Sequence, residues 1–84
     1  MEEVRVTIAG KVIVASREEV EAVARGLRPE PVTKHWVKVA GKTFPPKQLL
    51  EAVAKAKGVP LNRLDFQTMS ARRFFNKLGF EMNQ

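Results

Sequence analysis

The chain has no cysteine and no tyrosine, and carries one histidine and one tryptophan in 84 residues. Without cysteine there is neither a disulfide frame nor a thiolate zinc site. With a single histidine and nine carboxylates, a mixed carboxylate–histidine metal cluster is not expected. The same shortage bears on catalysis. No nucleophile–base–acid set can be assembled around His35, which reads as a structural residue, and Glu51 and Asp65 have no partner carboxylate at an interpretable spacing. The Ala-Gly-Lys triplets at 9–11 and 40–42 lack the further glycines and the Gly-Lys-Ser/Thr ending of a phosphate-binding loop. The expectation is a protein that is not an enzyme and holds no metal or cofactor.

Long apolar runs are missing too. Nothing approaches the ~20 residues of a membrane span, so no membrane partner is expected. The opening MEEVRV starts with two glutamates and runs into an alternating pattern, unlike a signal peptide. A cysteine-free composition fits a reducing compartment, and a cytoplasmic location is expected. Chains of this length bury only about 60–65% of their unfolded surface, so one small core is all that can form.

Acids are scarce in the second part of the sequence. Residues 1–30 hold five basic and six acidic side chains, a balance of −1. Residues 31–84 hold ten basic side chains against Glu51, Asp65 and Glu81, a balance of +7. The net charge of +6 therefore belongs to the C-terminal two-thirds, which points to a polyanion or to a solubilising surface.

Val4, Val6 and Ile8 alternate with Arg5 and Thr7, the period of a half-buried strand. After Ala9-Gly10, the β-branched run KVIVA returns, and the two segments read as a hairpin. Ser16 and Glu19 form a capping box ahead of a helix that carries Val20, Val23 and Leu27 on one side and stops at Gly26. The segment RPEPVT (28–33) is a proline-stiffened connector. HWVKV then alternates, with His35, Val37 and Val39 on one side and Trp36 and Lys38 on the other. Ala40-Gly41 turns the chain, and Pro45-Pro46 opens a second helix with Leu49, Leu50, Val53 and Ala54 inward, ending at Gly58. A third helix, capped by Thr68 or Ser70, places Ala71, Phe74, Phe75 and Leu78 on one face. Gly79 closes it, and Phe80 can fold back as a hydrophobic C-terminal contact.

These elements predict a single α+β domain over 1–84 in the order ββαββαα, with a short antiparallel sheet packed against three helices. Residues 4–27 and 35–58 echo each other as ββα units, and helix 68–79 stands outside the echo. A true duplication would let the four strands join in one sheet; chance matching among common helix formers is the alternative.

The basic set is Lys38 and Lys42 of the second hairpin, Lys47 at the start of the second helix, Arg63, and Arg72, Arg73 and Lys77 of the last helix, with Asn76 beside them. Arg72/Asn76 and Arg73/Lys77 are i, i+4 pairs, and no acid lies on that helix to balance them. Arginine suits phosphate and the guanine edge, and asparagine the adenine edge. The expectation is duplex DNA binding, with Lys38, Lys42, Lys47 and Arg63 on phosphates and the last helix at a groove. An acidic protein partner and structured RNA are the alternatives. Trp36 reads either as a sheet-face residue covering the helices or as a stacking platform beside lysines.

Gly41-Lys42, Phe44-Pro45-Pro46-Lys47-Gln48, Asp65-Phe66, Ala71-Arg72-Arg73 and Leu78-Gly79-Phe80 occur in an order that resembles the small N-terminal head domain of McrA-type HNH endonucleases. The resemblance covers about residues 35–80. It implies a DNA-binding accessory domain of restriction or regulatory character, with Lys47, Arg72 and Arg73 on its basic face. The first 30 residues do not share the pattern and no nuclease module follows Phe80 within the 84 residues, so nuclease activity is not carried over.

Overall fold

Two hairpins and two helices alternate before the last helix is reached. In a computed structural model describing residues 3–32 and 34–83, strands β1 (Glu3–Ile8) and β2 (Lys11–Ser16) pair antiparallel with Ile8 opposite Lys11. Helix α1 (Arg17–Arg25) follows at once. Strands β3 (Val37–Val39) and β4 (Lys42–Phe44) pair with Val39 opposite Lys42, and helix α2 (Pro46–Ala56) follows. A 3-10 turn (Arg63–Asp65) leads to helix α3 (Thr68–Lys77) and a two-residue strand β5 (Glu81–Met82). Met1 and Glu2 at the start, Thr33 of the proline connector and Gln84 lie outside the described residues.

Both hairpin turns have the same backbone. Ala9 and Gly10 have φ of 51° and 76°, and Ala40 and Gly41 have φ of 53° and 77°. Positive φ at both central residues is the type I′ turn, whose twist matches that of the flanking strands. Glycine adopts it freely, whereas alanine there crowds its Cβ against the backbone. The predicted echo of ββα units is thus repeated in local geometry. The two units also brace each other. The Lys11 ammonium donates to the Pro60 carbonyl beyond α2, and the Lys42 ammonium reaches the Ala24, Arg25 and Leu27 carbonyls at the end of α1.

The α+β class and the order of the first seven elements agree with the sequence reading, but the strands form two sheets instead of one. One sheet is β1-β2 and the other is β4-β3-β5. The second sheet gains its third strand from β5, which the alternation of HWVKV and KTF could not announce. It lies on the free edge of β3, with Met82 opposite Val37 and Glu81 opposite Lys38. Asn83 extends the pairing: its N–H donates to Trp36 O, and its side-chain oxygen accepts from Trp36 N–H at 2.9 Å.

One apolar cluster joins every layer. Ile13, Val20, Val37, Phe44, Leu49, Leu50, Val53, Phe74 and Phe75 are almost wholly buried in it. The Ser16–Glu19 capping box of α1 forms as predicted. At α3 the cap differs. The helix begins at Thr68 with Gln67 as the capping residue, which gives no side-chain bond, because Thr68 and Ser70 are already inside the first turn. The far end follows expectation: Gly79 has φ of 84°, Phe80 N–H returns to Phe75 O at 3.1 Å and Gly79 N–H to Asn76 O at 3.0 Å. Phe80 is buried and meets Phe75 edge-on, with ring centroids 6.3 Å apart. A side chain at position 79 would also press on the Arg17 guanidinium, 3.2 Å from an ideal Cβ.

Candidate functional site

The C-terminal basic residues fall into two groups once folded. Lys42, Lys47, Arg63 and Arg72 have their head groups bonded to other groups of the chain. Lys42 caps α1, as described above; a cation at a helix C-terminus satisfies carbonyls that lack intrahelical partners. The Lys47 ammonium donates to Arg63 O at 3.3 Å and lies 5.7 Å from the Phe66 ring centroid. Arg63 is a junction: its Nη atoms donate to both Glu30 carboxylate oxygens at 2.6 and 2.7 Å, and its Nε to Glu51 at 2.9 Å. Arg72 donates from Nη2 to Asn83 O and meets His35 Nδ1 through Nη1. His35 is thus a partner of Arg72.

The acids that balance these cations come largely from the first part of the chain. Glu30 reaches Arg63 and Glu19 reaches Lys57. The bond from Arg63 holds the Glu30 carboxyl below its ordinary value of 4.5. Lys57, followed by the Ser16 N–H, does the same for Glu19. Arg63 is pushed further toward its charged form by Glu30 first and then by Glu51. The asymmetry of −1 against +7 is thus partly cancelled across the fold.

Lys38, Arg73, Asn76 and Lys77 remain outward. All four are exposed, and their side chains make no hydrogen bond or ion pair among the described residues. Arg73, Asn76 and Lys77 lie along α3, whose inner face is fixed by Ala71, Phe74 and Phe75. Lys38 stands opposite Glu81 on the outer face of the three-stranded sheet. The structure therefore brings together the outward face of α3, β5 and the sheet edge, and sets Lys42 and Arg63 apart as braces. Trp36 shares the strand face of Lys38 and is half-buried.

Between α3 and β5 runs an open cleft of about 620 Å³. Met69, Arg72, Arg73 and Asn76 line its helix side, Glu81, Met82 and Asn83 its strand side, and Phe80 lies between them. Sequence reasoning did not find this feature, since it depends on β5. Among the described residues no group of three His, Asp or Glu stands close enough to hold a metal, and no helix is long and apolar enough to cross a membrane.

A family model described as SCO5918-like matches residues 4–84. The chain belongs to the SCO5918-like family. This match takes in both ββα units and the terminal helix together, so residues 4–30, which do not share the endonuclease-head pattern, are part of the SCO5918-like unit. No curated protein and no solved structure matches the chain.

Proposed function

We propose that this protein is a small DNA-binding module that grips duplex DNA through α3. The observation that carries the reading is the outward set itself. Arg73 and Lys77 are like charges four residues apart, with no ion-pair partner among the described residues. Such pairs cost a helix a few tenths of a kcal/mol each, a cost that a row of phosphates would offset. Lys38 adds a third cation, and Asn76 a side chain able to contact a base edge. The ordered resemblance of residues 35–80 to the head domain of McrA-type endonucleases supports the same reading, and so an accessory or regulatory role without nuclease chemistry of its own.

A second reading is docking to an acidic protein. It draws on Leu64 and Met69, apolar residues that are 89% and 51% exposed next to the basic helix. Titration of random-sequence duplex DNA across salt concentrations separates the two. Three phosphate contacts give a slope of about −2.7 in log affinity against log salt, or roughly 40-fold weaker binding at 200 mM than at 50 mM salt. Absence of binding at low salt would remove DNA and favour the protein partner.

A further inference from the structure

The cleft between α3 and β5 has a chemistry that phosphate binding does not use. Met69, Met82 and Phe80 supply apolar surface, while Arg72, Arg73, Asn76, Asn83 and the exposed Glu81 supply polar groups around it. Glu81 is the puzzling member. A carboxylate beside a phosphate grip repels the backbone it should hold. Among the described residues it forms no ion pair, although Arg73 lines the same cleft and Lys38 stands opposite it across the strands.

A carboxylate is, however, the acceptor that suits an exocyclic amine on a base. An asparagine amide offers a donor and an acceptor to the same edge. The cleft is also concave. Base edges in an intact duplex are reached by a convex element entering a groove, whereas an open recess with both apolar and polar lining suits a base that has left the stack. Its volume is within the ~300–1,000 Å³ usual for ligand sites, and the cations of α3 stand where the adjoining phosphates would run.

We infer that the α3–β5 cleft receives a single unpaired nucleobase bearing an exocyclic amine, with Glu81 accepting from that amine while Arg73 and Lys77 hold the flanking phosphates. This rests on the nucleic-acid reading above and specifies which form of DNA it favours.

The test uses four labelled duplexes of one sequence: fully paired, and with a single-nucleotide bulge of adenine, cytosine or thymine. Binding is followed by fluorescence anisotropy. The adenine and cytosine bulges are expected to bind about tenfold tighter than the paired duplex, the size of one hydrogen bond to a charged group, and tighter than the thymine bulge. In Glu81→Ala, checked for native circular dichroism, the preference for adenine and cytosine over thymine should vanish while affinity for the paired duplex holds or rises. A 2-aminopurine bulge should change its fluorescence on binding to the native protein and much less with Met82→Glu. Equal affinity for paired and bulged duplexes, or a base preference that survives Glu81→Ala, would overturn the inference and leave the duplex reading standing. Failure of all four duplexes to bind would overturn both.

Discussion

Gln48 shows what a polar residue inside so small a core can do. It is 5% exposed, its Nε2 donates to Arg28 O at 2.8 Å, and its Oε1 accepts from Glu30 N–H at 2.9 Å. Those two bonds fasten the proline connector to the first turn of α2, and by holding Glu30 they also place the carboxylate that receives Arg63. Gln48→Ala leaves the Glu30 N–H and the Arg28 carbonyl without these partners, and should cost about 2–3 kcal/mol. In a domain of this size that lowers the melting temperature by roughly 10–20 °C, readable by thermal denaturation. Ala40 is the opposite case. At φ of 53° before Gly41 it occupies the position where a type I′ turn prefers asparagine. Ala40→Asn should stabilise the fold by about 0.5–1 kcal/mol and raise the melting temperature by a few degrees, since the side chain is exposed and nothing else changes.

Among the elements, the helices were the most legible in the sequence. The spacing of Val20 and Val23, of Leu49, Leu50, Val53 and Ala54, and of Ala71, Phe74 and Phe75 fixes three amphipathic faces before any packing is known, and Gly79-Phe80 fixes how the last one ends. What could not be read was β5. Two residues carry no periodicity, and Glu81–Met82 become a strand only because β3 offers an open edge and Arg72 holds Asn83 beside it. The division of the basic residues was hidden for the same reason. Lys42 and Arg63 find their partners 12 to 33 residues away in sequence, and no local pattern separates a lysine that caps a helix from one that faces solvent. The motif residues Lys42, Lys47, Gln48 and Arg72, which suggested a DNA-binding head domain, all serve here as cross-braces. That leaves Arg73, Asn76 and Lys77 to represent the last helix on the surface. Truncating Phe74 or Phe75, each fully buried beneath them, would remove ~3–5 kcal/mol and with it the fold, so binding cannot be probed from that side.

The apolar core holds the molecule, and exposed pairs between cations of its C-terminal part and acids of its N-terminal part add to it, so acid should loosen it slightly in a defined direction. Glu19 and Glu30 have folded values below 4.5. Their contribution is therefore fully present above 4.5 and is lost as pH falls through the lower folded values. Melting temperatures recorded from pH 7 downward should decline in that acid range, and the decline should be shallower in Glu30→Gln. Because both pairs are solvent-exposed, added salt should shrink the effect. The proposed function rests on the same partition. If the braces and the outward grip are separate sets, removing Arg73 and Lys77 from the grip must weaken binding without touching the fold. Arg73→Ala/Lys77→Ala, titrated against random-sequence duplex DNA at low salt with its melting curve taken on the same sample, puts this to the test. The expected result is a native melting temperature, an affinity reduced at least tenfold, and a salt slope that falls from about −2.7 to about −0.9. An unchanged affinity in the folded double variant would contradict the assignment of α3 as the DNA contact.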